Sequence, residues 1–283
     1  MHLSAGMVSG KFYMINHIVS MMPRHVCYVE PFGGAASILF GKEKSKVEVY
    51  NDLNDWLVNL YSVIRNQPQE LLDRLEMTPY SRSLYGESVI KYKASQRGKI
   101  EIDPIEKAVL FFVLIKQSFN SVPGGTFAYA SVASKGSAWC NAKELIMPAH
   151  QRLKEVLIEC LNYEDIFEKY DGLDTLFYLD PPYVHITRDS GTLSAYEFEM
   201  SDTDHTNLCW NCSELEGMVI MSAYHSDIYD SILVKELGWG YKEVDVICSS
   251  SYVPESPGKP KRREVLYWNQ AVEQNTSQMV LTL

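Results

Sequence analysis

The sequence predicts an α/β fold whose single main domain is interrupted by a strand-poor insertion. Short apolar segments alternate with helical patterns at both ends of the chain, and such segments are scarce in the middle. The apolar segment 176–179 runs into Asp180 and two prolines, a pattern typical of a buried parallel strand ended by a breaker. Open α/β sheets bind ligands beside the carboxyl ends of their strands, so Asp180 and Tyr183 are candidate site residues.

Composition narrows the class of protein. The 283 residues, 46% hydrophobic and 22% charged, can bury the core of a soluble globular protein, as one large domain or two small ones. No segment has the pattern of a membrane span or a signal peptide, and the six cysteines lack a disulfide framework, so we expect a reducing cytoplasm. The net charge of −10 excludes a purely electrostatic nucleic-acid binder and directs attention to local basic segments.

Two turns have the pattern of a nucleotide site. A strand predicted over 26–29 leads into the turn 30–37, Glu-Pro-Phe-Gly-Gly-Ala-Ala-Ser, whose small residues let a helix begin close to a ligand. The next strand, 47–50, ends at Asp52, about 20 residues after the glycines, the offset of an acid that binds ribose hydroxyls. The turn lacks the dehydrogenase glycine pattern, which disfavours a nicotinamide cofactor. The alternative role for Asp52 is a helix cap.

The remaining patterns predict further elements and three irregular segments. Residues 80–102 and 118–141 are expected as loops, and 249–263, with Lys259, Lys261, Arg262 and Arg263, as either a mobile substrate arm or a surface hairpin tip. Helical periodicity covers 15–22, 54–77 with a break at Pro68, 103–117, 142–154, 203–214 and 228–236. Strand patterns cover 156–160, 218–222, 241–246 and 264–268.

The segment 180–183 suggests the chemistry of the site. A carboxylate, a row of carbonyls stiffened by Pro181 and Pro182, and the ring of Tyr183 suit a flat ring that bears an amine, such as a nucleobase. His205 and Cys212 invite comparison with a metal site. On one helix they would lie about 10 Å apart along the axis, too far to share one ion, so we expect no metal.

In this order, the motifs resemble those of DNA adenine-specific aminomethyltransferases of the Dam type. The resemblance covers most of the chain and rests on the segments 180–183, 31–35 and 51–54, with 9–11, 119–120, 204–208 and 263–266 in support. It implies a doubly wound, Rossmann-like methyltransferase domain formed by 1–60 and 155–283, with a mainly helical target-recognition insertion over 61–154. It implies S-adenosylmethionine as cofactor, double-stranded DNA as partner, and the cytoplasm of a bacterial or phage-infected cell.

The resemblance also assigns roles to individual residues. The catalytic residues are Asp180, Pro181, Pro182 and Tyr183. The cofactor contacts are Met7, Lys11, Pro31, Phe32, Gly33, Asp52 and Asp180, with Met7 standing where relatives carry an aromatic. The DNA contacts are Phe119, as a wedge in the duplex, Asn120, Lys259, Lys261, Arg262 and Arg263. The arginines that read guanine in those relatives have no counterpart after Asn120, so a GATC target does not carry over.

The expected reaction is methyl transfer to the exocyclic amine of an adenine flipped out of the duplex. Asp180 and the carbonyl of Pro181 would accept hydrogen bonds from the amine and stabilise its growing positive charge. Alternatives are a cytosine amine, where serine commonly replaces the first aspartate, and RNA or a protein amide. A non-catalytic DNA-binding module is a further alternative, disfavoured because Lys11, Asp52 and Asp180 are all present.

Overall fold

A computed structural model describes residues 11, 13–130, 134–184, 199–247 and 261–280. At 120, 246–247, 261–262 and 276–280 it describes the backbone alone. Met7, Lys259 and most of the predicted arm 249–263 therefore lie outside the described residues.

Helices and strands alternate along both ends of the described chain. The strands are β1 (Cys27–Glu30), β2 (Val47–Asn51), β3 (Val156–Glu159), β4 (Thr175–Leu179), β5 (Met218–Ala223), β6 (Gly240–Ile247) and β7 (Lys261–Trp268). The helices are α1 (Ile15–Val19), α2 (Ser37–Gly41), α3 (Asp55–Asn66), α4 (Pro68–Glu76), α5 (Arg82–Gln96), α6 (Pro104–Lys116), α7 (Lys135–Glu144), α8 (Ile146–Leu153), α9 (Tyr163–Tyr170), α10 (Asp202–Ser213), α11 (Asp227–Tyr229) and α12 (Gln270–Val280). Phe119–Ser121 forms a 3-10 turn and Asp230–Glu236 a π-helical segment.

In the described chain the strands form a seven-stranded sheet in the order β3-β2-β1-β4-β5-β7-β6. From β1 the chain builds outward through β2 and β3 on one side, and then returns to place β4 and β5 on the other. Strand β4 is parallel to both β1 and β5, while β7 is antiparallel to β5 and to β6. This is a doubly wound α/β sheet whose strand order reverses between β1 and β4, the position at which such sheets bind ligands. The predicted fold class is confirmed.

The chain divides into two compact units. The first contains Gly33–Glu43, Val49–Cys160 and the described residues before Asn16. The second contains Asn16–Phe32, Lys44–Glu48 and the described residues from Leu161 onward. The predicted boundaries of the insertion, 61 and 154, remain a prediction.

Helix α6 forms the apolar centre of the first unit. Its N-cap is Asp103, whose carboxylate accepts hydrogen bonds from the backbone N–H groups of Ile105 and Glu106, and Pro104 occupies the first turn. Apolar side chains on every side of the helix are buried, because α3, α4 and α5 all pack against it. The predicted buried helix over 103–117 is confirmed.

Strand β4 is the most enclosed strand of the second unit. All five of its residues are buried, because β1 and β5 flank it through parallel pairing. Its neighbour β5 is also buried throughout. Continuous apolar strands of this kind are typical of parallel sheets covered on both faces, as the sequence predicted for 176–179.

Several predicted elements differ from the structure. Much of 80–102 is helix α5 rather than a loop, begun by the cap Ser81. Only Tyr85 and Ser88 of α5 are buried, which explains why no apolar stripe marks it. The pattern over 142–154 is divided between α8 and α7, and α7 begins at Lys135, inside the segment 118–141 that was expected as a loop. Neither α9 nor α12 was predicted. The backbone of 261–263 lies in β7, paired with β6, and not in a loop.

None of the described helices combines the length and the apolar character needed to span a membrane.

Candidate active site

The carboxyl end of β4 presents the segment 180–183. Asp180, Pro182 and Tyr183 are half-buried, whereas Pro181 is buried. Strand β4 ends at Leu179, and the two prolines after Asp180 have no N–H to continue its pairing, so the chain leaves the sheet at Asp180. In the second unit the carboxyl ends of β1 and β5 lie at the same edge as that of β4, because the three strands are parallel. Pro31, Phe32 and Tyr224 therefore belong to this edge.

Tyr183 is paired with a second aromatic that sequence reasoning missed. The rings of Tyr183 and Tyr224 lie with centroids 4.6 Å apart and tilted by 47°. Tyr224 directly follows β5, so its position after a buried strand was the signal that could have indicated it. Below this pair, the hydroxyls of Tyr178 and Ser222 share a buried hydrogen bond of 2.9 Å that joins β4 to β5. The edge is thus aromatic at its surface and hydrogen-bonded beneath.

Phe32 also has an aromatic partner. Its ring lies 5.6 Å from the ring of Tyr163, the first residue of α9. The Tyr163 hydroxyl accepts a hydrogen bond from the Asn211 side-chain amide at 3.1 Å, which fixes the ring. Burial raises the pKa of Tyr163, and so do the hydrogen bond and charge of Glu164. The pair offers flat apolar surface at the carboxyl edge of the second unit, and the sequence did not indicate Tyr163.

A buried acid closes β1. Glu30 accepts a hydrogen bond of 2.7 Å from the Tyr28 hydroxyl, and both side chains are buried. Burial, followed by the neighbouring charge of Glu30, raises the pKa of Tyr28 well above its ordinary value, so this hydroxyl keeps its proton and remains a donor.

In the first unit, the glycine turn is built by close backbone approach. The Gly33 N–H donates to the carbonyl of Asn51 at 2.7 Å, and the Tyr50 hydroxyl donates to the carbonyl of Gly34 at 2.8 Å. A Cβ on Gly33 would lie 2.2 Å from Cε2 of Tyr50. Gly34 has φ of +46° and Ala36 has φ of 52°, both in the left-handed region. The turn therefore requires glycine at 33 for space and favours it at 34 for conformation.

Asp52 links that turn to the loop after β2. Its carboxylate accepts hydrogen bonds from the Gly34 N–H and the Asn54 N–H, each at 2.8 Å. Burial raises the pKa of Asp52, and these two backbone bonds partly oppose the rise. The cap of α3 is Asn54, which accepts from Trp56 and Leu57, so Asp52 is not the helix cap considered above. Each oxygen of Asp52 keeps a lone pair for a hydroxyl of a ligand.

The structure describes the side chains of some of the other predicted site residues and only the backbone of others. Lys11 is buried, an uncommon environment for a lysine and consistent with more than an ordinary surface role. Phe119 is 63% exposed and therefore not part of the core of its unit. Asn120 is described by its backbone alone, as are Lys261 and Arg262 in β7.

Arg263 is described fully and has partners within its own hairpin. Its guanidinium donates to Glu243 at 3.0 Å and to Asp245 at 3.2 Å, both on β6. Arg263 is thus a strand residue paired across β6 and β7 and not part of a basic loop.

His205 and the two nearby cysteines lie on α10. Nδ1 of His205 lies 2.8 Å from the Tyr229 hydroxyl, and burial raises the pKa of Cys209 to about 12. Burial also raises the pKa of Cys212 well above its ordinary value. These thiols therefore remain protonated and pack as small apolar groups.

Comparison with known proteins shows the family to which the chain belongs. A model of the D12 class N6 adenine-specific DNA methyltransferases matches residues 9–246, most of the chain and both compact units. The chain belongs to this family. It is an adenine-specific DNA methyltransferase, and the resemblance seen in its motifs is confirmed.

Individual relatives agree with the family. A type II methyltransferase of Lactococcus lactis subsp. cremoris is 25% identical over 256 residues, covering 84% of this chain and 83% of the relative. A type II methyltransferase of Methanocaldococcus jannaschii is 22% identical over 253 residues, covering 79% and 84%. The DNA adenine methylase of Escherichia coli K12 is 23% identical over 184 residues, covering 63% of each chain.

A solved rRNA methylase of Streptococcus thermophilus aligns with 93% of this chain and 99% of its own, at a TM-score of 0.32 and 10% identity. At that level the alignment adds nothing to the assignment.

Proposed function

We propose that this D12 methyltransferase uses S-adenosylmethionine as its methyl donor and methylates an adenine extruded from double-stranded DNA. The observation that carries the proposal is the position of Asp180: it follows a fully buried strand at the point where the strand order reverses, beside Tyr183. A methyl donor and a nucleobase amine are ligands that this edge of a doubly wound sheet can take.

The donor-binding residues we propose are Lys11, Pro31, Phe32, Gly33, Asp52 and Asp180, with Met7 outside the described chain. Two features support a nucleoside-bearing donor. Asp52 keeps lone pairs for ribose hydroxyls while two backbone N–H groups hold it. Phe32 with Tyr163 offers flat apolar surface to an adenine ring.

The methyl transfer requires no covalent intermediate with the protein. S-adenosylmethionine would supply an activated methyl group: as the amine nitrogen bonded the methyl carbon, the S–CH3 bond would break and the neutral thioether would leave with the bonding electron pair. The nitrogen would then lose a proton to water. Asp180 and the Pro181 carbonyl accept hydrogen bonds from the amine, which orients its lone pair and stabilises the positive charge that develops on it. Tyr183 stacks on the base, and alignment of the two reactants provides much of the acceleration.

The DNA contacts we propose are Phe119, Asn120 and the basic residues Lys259, Lys261, Arg262 and Arg263. The ring of Phe119 is 63% exposed, so a duplex could reach it.

The decisive test is transfer of label from S-adenosylmethionine to unmethylated duplex DNA, followed by nucleoside analysis. We expect all the label in N6-methyl-2′-deoxyadenosine. Label in a methyl-2′-deoxycytidine, or only in RNA or protein when these are offered instead, would refute the assigned substrate. Donor binding without transfer to any of them would indicate a non-catalytic module.

Replacing Asp180 tests the mechanism. Asp180→Asn keeps the shape of the side chain but removes its charge and one acceptor, so we expect kcat to fall about 10²- to 10³-fold, the cost of one such electrostatic partner. Asp73→Asn, which changes an exposed carboxylate on α4, is the matched control and should leave kcat unchanged. Wild-type kcat in the Asp180 variant, with its fold intact by circular dichroism, would contradict the mechanism.

A further inference from the structure

A short hairpin follows α6 in the first unit. The Phe119 N–H donates to the Thr126 carbonyl at 2.7 Å and the Ala128 N–H to the Gln117 carbonyl at 2.8 Å, with a bridge between Ser118 and Phe127. We call residues 117–129 the recognition hairpin. It presents large side chains to water: Phe119 is 63% exposed, Val122 39% and Tyr129 75%.

The recognition hairpin is anchored by tyrosines at the start of α5. The hydroxyl of Tyr80 donates to the Ala128 carbonyl, and that of Tyr85 donates to the Gly125 carbonyl at 2.7 Å. The rings of the same two tyrosines lie 5.2 Å and 5.6 Å from the ring of Phe127. Phe127 is therefore held from two sides, and side chains that rest on it have a rigid support.

Arg82 packs against the ring of Phe127 and against that of Tyr129. Its guanidinium carbon lies 4.8 Å from the centroid of the Phe127 ring and 5.3 Å from that of Tyr129. Contacts of this kind orient a guanidinium while leaving its N–H edges free for a planar acceptor. In the part of the chain that the structure describes, no carboxylate forms an ion pair with Arg82. The positive charge of Arg82 also lies in the first turn of α5, where the positive end of the helix dipole makes it unfavourable and no acidic residue of that turn neutralises it.

The segment that contains Arg82 and the recognition hairpin carries a net positive charge, opposite in sign to that of a nucleic acid. Residues 80–131 contain seven lysines and arginines against four acidic residues, a net charge of +3 in a chain whose net charge is −10. Exposed aromatics beside an oriented guanidinium suit bases better than phosphates, because rings stack on bases and do not bind phosphate.

We propose that Arg82, held by Phe127 and Tyr129, is a specificity-determining residue that donates two hydrogen bonds to the major-groove edge of a guanine in the recognition sequence. The inference rests on the proposed function, since it assigns one position of the DNA site that the enzyme methylates. A planar guanidinium matches the O6 and N7 acceptors of guanine, and stacking on two rings removes much of the entropy cost of ordering a long side chain.

The test is the sequence context of methylated adenines in cells that express wild type, Arg82→Ala, Arg82→Lys or the control Arg74→Ala, which removes an exposed arginine of α4. We expect a guanine at one position in the wild-type and Arg74→Ala sequences. In Arg82→Ala we expect that position alone to lose its preference, with the guanine discrimination falling about 5- to 150-fold, as for loss of a bidentate pair. Arg82→Lys should lose part of it, because an ammonium can reach the same acceptors but has no planar fork to match both of them.

Filter binding at several salt concentrations separates a base contact from a phosphate contact. We expect the slope of log K against log salt to be the same in wild type and Arg82→Ala. A slope smaller by about one, with an unchanged recognition sequence, would show a phosphate contact and overturn the proposal. A wild-type sequence without guanine, or full discrimination in Arg82→Lys, would overturn it as well. A wild type that methylates no adenine would instead refute the proposed function, so the two failures are distinguishable.

Discussion

Two adjacent glycines in the turn after β1 should respond very differently to the same substitution. At Gly33 an added Cβ would lie 2.2 Å from Cε2 of Tyr50 and 2.9 Å from the Asn51 carbonyl oxygen. At Gly34 nothing lies within 4 Å of the added atom, but φ is +46°. Gly33→Ala therefore tests the effect of a steric clash, and Gly34→Ala tests the effect of a left-handed backbone conformation.

The loss of stability expected in Gly33→Ala depends on how firmly Tyr50 is held. Its ring is fully buried, its hydroxyl donates to the Gly34 carbonyl, and its edge meets the ring of Tyr61 at 5.0 Å. It cannot swing away, so Gly33→Ala combines overpacking of roughly 1–3 kcal/mol with a weakened hydrogen bond of roughly 1 kcal/mol. We expect a loss of about 3 kcal/mol, against about 1 kcal/mol for alanine in the left-handed region at Gly34.

Thermal unfolding gives the readout. For a chain of this size 1 kcal/mol corresponds to about 2–4 °C, so Tm should fall by about 6–12 °C in Gly33→Ala and about 2–4 °C in Gly34→Ala. The Tyr50→Phe, Gly33→Ala double variant should be no more stable than the single variant, because the clash involves the ring and not the hydroxyl. Equal losses at the two glycines, or a larger loss at Gly34, would refute the reasoning.

Two further predictions concern titration. Burial raises the pKa of Asp52. The affinity for the methyl donor should therefore weaken as pH falls through that raised value, because the protonated acid loses acceptor capacity. Calorimetric titration from pH 4 to 8 should show this dependence in wild type and its absence in Asp52→Asn. Burial lowers the pKa of His225, but the hydrogen bonds and charges of Asp230 and Glu243 outweigh it and raise the pKa overall. The stability that protonated His225 contributes is therefore complete below about pH 6.5 and is lost as pH rises through the raised pKa. The difference in Tm between wild type and His225→Gln should shrink over that range. A difference that is constant with pH would contradict this prediction.

Local patterns predicted the elements whose burial follows their own periodicity. The continuous apolar segment before Asp180 predicted β4, and the all-round apolar pattern of α6 predicted a buried helix. Helix α5 was missed because few of its residues face the core, and its start depends on Ser81, a cap that is also an ordinary loop residue. The strand position of Arg263 was missed because cross-strand pairing with Glu243 and Asp245 leaves no periodic signal.

Of the candidate site, the sequence indicated the residues with distinctive chemistry. Asp180, Asp52 and the glycine turn could be chosen because acids and small residues after strands are typical of ligand sites. Tyr163 could not be chosen, since aromatic residues are common in cores, and Tyr224 had only its position after a buried strand to indicate it; their contacts with Phe32 and Tyr183 set the two residues apart. The difference is that residue type is visible in the chain, whereas the partner of a ring is not.

The sequence by itself determined the fold class and the order of the motifs, because strand and helix periods and breakers are properties of neighbouring residues, and the resemblance carried by those motifs indicated the reaction. Only the tertiary structure decided which glycine lies against Tyr50, that Asp52 bonds Gly34 as well as Asn54, and that Arg82 rests on Phe127 and Tyr129. Apart from the bond between Asp52 and Asn54, these contacts join residues 17 to 47 positions apart in the chain. Their formation depends on how whole elements pack, which no local pattern encodes.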